Sequence, residues 1–274
     1  MTKLLGVIGD PISHSLSPLI HNGWLRDFGF PATYEAMHVP GGQLSSALES
    51  LAKRDTVGVN VTLPHKLEAL ALAKTASASA AKIGAANTLT LQQDKSWTAD
   101  NTDAPGFMSS LRDALQTNDL SKEKVLLLGA GGSARAVVYA LNEQAIDLTI
   151  LNRTPSKAVS LSNEFTNAKA AFGDLSQYKE YIESATIVIN TTSGGYSGDI
   201  IDTGPGNGRL FYDISYGAAA KAQLDDAKLN GWRVRDGLNM LVAQAAESFR
   251  IWFGEEPDRI LALKRCQNAL EAAE

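Results

Sequence analysis

Short apolar runs alternate with segments of helical spacing along the first part of this chain. The runs have strand length, and the segments between them place apolar residues at i, i+3 and i+4. We therefore expect an α/β domain here, with a hairpin around Asp94-Lys95. The predicted strands span 4–8, 33–39, 57–61, 87–93 and 96–99, and the predicted helices span 18–28, 43–53, 64–73 and 104–115.

The second half of the chain repeats this alternation of apolar runs and helical segments. Helical segments lie between most of the runs, which is typical of a parallel sheet covered on both faces. We therefore expect a second α/β domain with a mostly parallel sheet. Its predicted strands span 124–128, 147–151, 169–172, 186–190 and 210–214.

Two long helices, predicted over 237–253 and 257–273, end the sequence without a following strand. We expect them to pack back on the first domain and to make it discontinuous in sequence. The chain then divides into one domain of residues 1–102 and 238–274 and another of residues 103–237.

Composition narrows the class of protein. The chain has 274 residues, 44% of them hydrophobic and 20% charged, with a formal net charge of −5, as in ordinary globular proteins. It has no dense Lys/Arg cluster for nucleic acid, and no segment approaches the ~20 apolar residues of a membrane span. The apolar stretch after Lys3 ends at Ile8, too short for a signal peptide. We therefore expect a cytoplasmic protein with no nucleic-acid or membrane partner.

Metal chemistry is not expected either. The only cysteine is Cys266, which excludes an internal disulfide. The histidines lack partners at the spacing of metal ligands, so the sequence predicts no metal site. They are His14, His21, His38 and His65.

The segment around residues 125–141 predicts a strand, a glycine turn and a helix start. Gly129 allows the tight turn, Gly131 lets the backbone approach a pyrophosphate, and Ala134 lets the helix pack closely on the strand. Free N–H groups at the helix start then hold phosphates. Glycines also make ordinary turns, but the strand before and the helix after favour a dinucleotide site. Its predicted residues are Gly129, Ala130, Gly131, Gly132, Ser133 and Ala134.

The end of the next strand indicates which dinucleotide binds. An NAD site usually carries Asp or Glu about 20 residues past the glycines, and this chain has Asn152-Arg153-Thr154 instead. Thr154-Pro155 fits an N-cap followed by Pro at the first helical position, which puts Lys157 in the first turn. Arg153 and Lys157 are either solvated surface cations or partners of a 2′-phosphate. Because the acid is missing, we predict NADP, held by Asn152, Arg153, Thr154 and Lys157.

Polar clusters at strand ends and helix starts of the first domain are candidates for a substrate site. Ser17 precedes Pro18 and fits a helix N-cap, whereas Ser15 has no such role, so the two hydroxyls together could bind a carboxylate. Asp103, ahead of a predicted helix, fits either an N-cap or a chemical role.

A second cluster ends the strand predicted over 57–61. Asn60 and Thr62 alternate with valines and therefore share a face. Lys66 follows at a helix start, where the dipole opposes a cation. Such a lysine is either merely exposed or an acid and base.

Together these segments resemble the shikimate dehydrogenase family over almost the whole chain. The family's Gly-x-Pro-x-x-His-Ser-x-Ser-Pro-x-x-His-Asn is present at 9–22, its Asn-Val-Thr-x-Pro-x-Lys at 60–66 and its Gly-Ala-x-Asn-Thr at 84–88. There follow Asn-Thr-Asp at 101–103, Gly-Ala-Gly-Gly at 129–132, Asn-Arg-Thr at 152–154 and Met-Leu-Val-x-Gln at 240–244.

The resemblance implies a fold, a reaction and a set of residues. The fold is an α/β substrate domain plus a Rossmann-type NADP-binding domain, with a cleft between them. The reaction is the reversible NADPH-dependent reduction of 3-dehydroshikimate to shikimate, in aromatic amino-acid biosynthesis, by a monomer or homodimer. Lys66 and Asp103 are the implied catalytic pair. The implied substrate contacts are Ser15, Ser17, Asn60, Thr62, Asn87, Tyr216 and Gln244, and Ile214 and Gly237 complete the cofactor site.

Two alternatives stay open from the sequence. A quinate/shikimate dehydrogenase or another paralogue would use a related cyclohexene acid. An NADP-binding sensor would keep the fold without turnover, although the presence of both Lys66 and Asp103 argues against it.

Overall fold

The computed structural model describes residues 2–144, 146–165, 169–174 and 177–273. Its contacts divide the chain into two units, the first comprising Met1–Gly106 with Leu241–Glu274 and the second Phe107–Met240. In the described residues, every helix is too short or too polar to cross a lipid bilayer.

The elements follow one another along the chain largely as the apolar pattern predicts. Up to residue 100 they are β1 (Lys3–Gly9), α1 (Ser17–Asp27), β2 (Ala32–His38), α2 (Leu44–Ala52), β3 (Thr56–Val61), α3 (Lys66–Leu72), β4 (Thr75–Ala76), α4 (Ala78–Ile83), β5 (Thr88–Leu91) and β6 (Trp97–Asp100). They continue with α5 (Asp103–Leu115), β7 (Lys124–Leu128), α6 (Gly132–Asn142), β8 (Asp147–Leu151), α7 (Pro155–Glu164), β9 (Lys169–Gly173), α8 (Tyr178–Ile182), β10 (Ile187–Asn190), β11 (Leu210–Asp213), α9 (Ala218–Leu229), β12 (Arg233–Arg235), α10 (Leu238–Phe253) and α11 (Arg259–Glu271).

The first unit is built on a mixed six-stranded sheet in the order β2-β1-β3-β5-β6-β4. Strands β1, β2 and β3 run parallel, and β5 runs antiparallel to both β3 and β6. The predicted hairpin is therefore present, with Lys95 in the left-handed region at its turn. Apolar side chains of β1, β3 and β5, including Ile8, Val59 and Leu89, are buried together with the leucines of α2. This burial fixes the strand ends that carry the polar clusters.

The C-terminal helices belong to this first unit. Phe249 of α10 is fully buried, and the Trp24 indole of α1 donates a hydrogen bond to the carbonyl of Asp258 at 3.0 Å. Arg265 of α11 forms a bidentate ion pair with Asp27. Helices α10 and α11 thus pack on the first hundred residues and form one hydrophobic core with them.

His21 lies in that core without polar partners. Its ring stacks on Tyr34 with centroids 4.2 Å apart, and it also contacts the rings of Trp24, Phe249 and Trp252. Within the described residues, neither ring nitrogen has a hydrogen-bond partner. Burial lowers the pKa of His21 from 6.5 to about 3, so the native state holds the neutral imidazole.

We expect His21 to make the first unit sensitive to acid. Between pH 6.5 and about 3 the unfolded chain binds a proton that the folded chain excludes, so stability falls as the pH drops below 6.5. Linkage predicts a loss of about 2 kcal/mol from this group between pH 7 and pH 5. Urea unfolding of the parent and of His21→Phe at pH 7 and at pH 5 measures this loss of unfolding free energy. If both proteins lose the same amount between the two pH values, His21 is not the group responsible.

The second unit is an all-parallel six-stranded sheet in the order β12-β11-β10-β7-β8-β9. Counted from its own first strand, this is the Rossmann order, in which the chain reverses direction across the sheet between β7 and β10. The predicted α/β class with a Rossmann-type unit is therefore confirmed. In such sheets ligands bind at the carboxyl ends of the strands at that reversal.

Candidate active site and nucleotide site

Lys66 and Asp103 meet at the starts of two helices of the first unit. The Lys66 ammonium donates a hydrogen bond to Asp103 Oδ2 at 2.7 Å, with side chains only 11% and 7% exposed. Helix α3 begins at Lys66 rather than at Pro64 as predicted, because the His65 N–H first closes a turn onto the Thr62 carbonyl. The dipole of α3 destabilises a positive charge at its start, where Lys66 lies. The neighbouring Asp103 carboxylate offsets this destabilisation.

Asp103 is not needed as a helix cap. The side-chain oxygen of Asn101 accepts the N–H groups of Asp103 and Ala104 at the start of α5. The Asn101 amide nitrogen in turn donates to the carbonyl of Ala85. The capping interpretation of Asp103 is therefore wrong, and its carboxylate is directed to Lys66.

Asn87 holds the other oxygen of this carboxylate. Its amide nitrogen donates to Asp103 Oδ1 at 2.9 Å and lies 3.1 Å from the side-chain oxygen of Gln244. Gln244 comes from α10, and α5 approaches it closely at Gly106. A Cβ on Gly106 would lie 2.8 Å from the Gln244 backbone nitrogen. The structure therefore brings Lys66, Asp103, Asn87 and Gln244 into one buried hydrogen-bonded group.

The Asn60 side chain lies next to this group, and protein groups hydrogen-bond to both its oxygen and its nitrogen. Its Oδ1 accepts the Tyr34 hydroxyl at 2.7 Å, and its Nδ2 contacts the carbonyl of Asn87, the Thr88 hydroxyl and the Ser248 hydroxyl. These contacts support a structural role for Asn60 beside the site. Thr62 directs its methyl group to Gly9, where an added Cβ would lie 2.4 Å away.

The two serines of the loop before α1 differ in their surroundings. Helix α1 begins at Ser17 itself and Ser17 makes no side-chain cap, so the predicted N-cap is wrong. The Ser15 hydroxyl instead accepts the Ser17 N–H at 3.3 Å. Ser17 is buried and hydrogen-bonds to the Tyr34 hydroxyl, whereas Ser15 is half-exposed.

Residues 129–134 form the glycine turn of the second unit. Gly129 has φ of 111° and lies against the Thr191 hydroxyl, 2.4 Å from where a Cβ would stand, so only glycine fits there. Gly131 is the N-cap of α6, and a Cβ there would meet nothing within 4 Å. The N-cap position of α6 thus adjoins open space where a pyrophosphate could lie, Gly132 and Ser133 follow in the first turn, and Ala134 is buried.

Two cations lie where the sequence predicts the ribose phosphate. Thr154 is the N-cap of α7 with Pro at the first helical turn, as predicted, although its hydroxyl makes no capping bond. Arg153 and Lys157 are both exposed in this loop and first turn. The Asn152 amide nitrogen donates to the Thr154 carbonyl at 3.0 Å and braces the loop. These residues fit an anionic group on the ribose of a dinucleotide.

Two further loops reach the same edge of the Rossmann sheet. Gly237 lies against the carbonyl of Ile214, which would be 1.9 Å from an added Cβ, and its N–H donates to Ser215. Thr191, which the sequence analysis missed, follows β10 at the reversal point and donates its hydroxyl to the Leu128 carbonyl. Its position after an apolar strand was the available signal. Tyr216, half-buried, belongs to this second unit rather than to the Lys66 group.

Histidine and acidic side chains do not cluster as metal ligands in the described part of the chain. No group of three or more His, Cys, Asp and Glu residues could hold a metal ion there.

Known proteins match both units of the chain. The sequence profile of the shikimate dehydrogenase substrate binding domain matches residues 7–89, that of shikimate/quinate 5-dehydrogenase matches 112–201, and that of the shikimate 5′-dehydrogenase C-terminal domain matches 237–259. A shikimate dehydrogenase (NADP(+)) of Hyphomonas neptunium is 48% identical over 272 residues, 99% of each chain. The chain belongs to the shikimate dehydrogenase family.

Solved structures of shikimate dehydrogenases have the same fold. The enzyme of Aquifex aeolicus is 33% identical, with a TM-score of 0.87 over 97% of each chain. The enzyme of Thermus thermophilus in complex with NADP(H) and shikimate is also 33% identical, with a TM-score of 0.80 over 98% of this chain and 100% of that one. The family predicted from the sequence motifs is therefore confirmed.

Proposed function

We propose that Lys66 and Asp103 carry the reversible reduction of 3-dehydroshikimate to shikimate by this chain. As a member of the shikimate dehydrogenase family, the chain is an NADP-dependent oxidoreductase that acts on a CH–OH group in the shikimate pathway of aromatic amino-acid biosynthesis. The observation that supports the catalytic assignment is the 2.7 Å ion pair between two nearly buried side chains. Such a pair holds a proton donor at a fixed point.

In the reducing direction, the substrate carbonyl needs a hydride at carbon and a proton at oxygen. Bound NADPH supplies the hydride. The Lys66 ammonium donates its proton to the carbonyl oxygen as the new C–H bond forms, so the C=O group becomes an alcohol. In the oxidising direction, neutral Lys66 accepts the hydroxyl proton while the carbon gives up its hydride, for which bound NADP+ would be the acceptor. This is general acid–base catalysis at one nitrogen.

Asp103 orients this nitrogen. One carboxylate oxygen accepts from Lys66 and the other from Asn87, so the carboxylate is fixed at both ends. A fixed acceptor limits the rotamers of the long lysine side chain and keeps Nζ at the reacting oxygen. Asn87 and Gln244 lie beside the pair and are placed to bind ring hydroxyls of the substrate. We keep Thr62 and Tyr216 as proposed substrate contacts, on the family resemblance.

We assign the substrate carboxylate to the loop that carries Ser15 and Ser17, and predict the effect of removing both hydroxyls. Because hydrogen bonds to a charged group are worth ~1.5–3 kcal/mol, Ser15→Ala with Ser17→Ala should raise KM for shikimate at least about tenfold and leave KM for NADP+ unchanged. Steady-state kinetics measure both constants.

The control variant is Ser13→Ala, which removes an exposed hydroxyl from the same loop. Ser17 is buried against Tyr34, so thermal stability is measured alongside. A double variant that loses stability but keeps KM would show that the two serines only support the fold.

The experiment that tests the function as a whole is a substrate and cofactor panel. Shikimate and quinate are each assayed with NADP+ and with NAD+. We expect the highest kcat/KM for shikimate with NADP+. Equal or higher efficiency with quinate would favour the alternative of a quinate/shikimate dehydrogenase, and no turnover with any pair would favour a sensor.

Location and assembly are proposed on the same basis. A biosynthetic step that consumes NADPH is expected in the cytoplasm. The chain is predicted to act as a monomer or homodimer, which analytical ultracentrifugation would decide.

A further inference from the structure

Thr102 lies at the centre of the polar group around Asp103, and the sequence indicates no role for it beyond its place in the motif of residues 101–103. It is 2% exposed and occupies the turn between β6 and α5. Its hydroxyl oxygen lies 2.9 Å from Asn87 Nδ2, 3.4 Å from Gln244 Oε1 and 3.1 Å from Ser248 Oγ. One hydroxyl therefore contacts both amides that we assign to the substrate.

The turn does not need this hydroxyl for its own conformation. Asn101 already caps α5, and the sheet pairs Asp100 with Thr88 across β5 and β6. The N–H and the hydroxyl of Thr102 contact instead side chains that lie far away in sequence. A role outside the turn is therefore required to account for them.

Backbone groups fix how the two amides face Thr102. The Thr102 N–H lies 2.8 Å from one Asn87 side-chain atom, and since an N–H can only donate, that atom is oxygen. The Asn87 nitrogen therefore faces Asp103 and the Thr102 hydroxyl. In the same way, Gln244 Nε2 donates to the Leu241 carbonyl at 2.9 Å, which turns Oε1 towards Asn87 and Thr102.

A hydroxyl can satisfy both neighbours because it accepts one hydrogen bond while it donates another. It accepts from the Asn87 nitrogen. The acceptors within reach of its proton are Ser248 Oγ, Asn87 Oδ1, Thr88 Oγ1 and Gln244 Oε1. An apolar side chain of the same shape does neither. Without the hydroxyl, the Gln244 oxygen keeps only its contact with Asn87, and the two amides lose their shared anchor.

We propose that the Thr102 hydroxyl is a positioning group that holds Asn87 and Gln244 in the orientation that binds the ring hydroxyls of the substrate. Held this way, the two amides keep a fixed orientation relative to each other and to Asp103. This inference rests on the proposed function, because it assigns the amides to the same substrate.

The test compares Thr102→Val, which keeps shape and β-branching, with Thr102→Ser, which keeps the hydroxyl. We expect KM for shikimate to rise about tenfold in the valine variant, the scale of one to two lost hydrogen bonds, with a smaller fall in kcat. KM for NADP+ should not change. The serine variant should return KM for shikimate to within about threefold of the parent.

Thr56→Val is the matched control. Thr56 is also buried, and its hydroxyl donates to the Leu51 carbonyl at 2.8 Å, away from the site. The Thr56→Val variant should lose about as much stability as Thr102→Val and should keep the parental KM for shikimate. Equal KM values in Thr102→Val and Thr56→Val, or no rescue by Thr102→Ser, would overturn the proposal.

Two other outcomes are also decisive. If Thr102→Val and the smaller Thr102→Ala are both recovered unfolded, the hydroxyl serves folding and the positioning role is wrong. If the parent itself does not oxidise shikimate with NADP+, the proposed function fails and this inference fails with it. Turnover by the parent therefore separates the two failures.

Discussion

Replacing Lys66 with alanine is expected to lower kcat for shikimate oxidation by about 10²–10⁴-fold, the usual effect of losing an acid–base group. Lys66 is the cation that hydrogen-bonds to Asp103, at 2.7 Å, and it is the proposed proton donor. Binding of shikimate should be nearly unchanged, because the carboxylate and ring contacts remain. Steady-state kinetics give kcat, and isothermal titration calorimetry gives Kd. A fall in kcat under tenfold would remove Lys66 from the role of acid.

Loss of stability must be separated from loss of chemistry in this variant. Removing one partner of a buried ion pair typically costs about 3–5 kcal/mol, because the other charge stays buried. Lys66→Met combined with Asp103→Asn removes both charges and should regain much of that stability while turnover stays lost. The control is Lys82→Ala, which removes an exposed lysine of the same unit and should leave kcat at the parental value. Asp103→Asn alone should lower kcat less than Lys66→Ala, since it removes orientation and keeps the acid.

The second large effect is expected at the cofactor loop, where Arg153→Asp should lower kcat/KM for NADP+ by about 10²-fold. A 2′-phosphate carries up to two negative charges, and each charge-assisted hydrogen bond is worth ~1.5–3 kcal/mol. The introduced carboxylate repels the phosphate and can accept a hydrogen bond from the ribose hydroxyl of NAD+ instead. Initial rates with NADP+ and with NAD+ in both proteins measure the change in preference.

Lys228→Asp is the matched charge reversal on the same unit. Lys228 is an exposed lysine of α9, outside the loop of residues 152–157. The Lys228→Asp variant should keep the parental ratio of kcat/KM for NADP+ to kcat/KM for NAD+. A parent that uses NADP+ and NAD+ equally, or an Arg153→Asp variant with an unmoved ratio, would show that the phosphate lies elsewhere.

Long apolar runs were sufficient to place most elements. The strands at 124–128 and 147–151 match the predicted bounds, because each is a mostly apolar run that ends at a turn. Strands Thr75–Ala76 and Arg233–Arg235 were missed, since two or three residues are too short to show a period. Local periodicity also carries no information on strand order, which is set by packing between distant segments.

The structure places several of the predicted site residues in one hydrogen-bonded group, and their roles toward the substrate stay predictions. The N-cap predicted at Ser17 is wrong, and the cap left open at Asp103 is absent, because Ser15 and Asn101 supply the acceptors. Sequence alone does not rank such neighbouring candidates. Thr102 and Ser248 were missed because the hydroxyl contact between them spans 146 residues. Asn60 was assigned to the substrate, and only the structure reveals that its polar atoms contact protein groups.

Residues 107–240 separate the two sequence segments of the first unit. The first unit therefore cannot fold completely until the ribosome has synthesised both segments. Gln244 and Ser248 pair with Asn87 and Asn60 across 157 and 188 residues. At the usual rate of elongation, a ribosome needs on the order of ten seconds to make the intervening unit. Until then the nascent first hundred residues lack α10 and α11 and expose the apolar surface around Trp24. Translation order thus leaves this surface open to chaperones, and activity begins only after the last helices emerge.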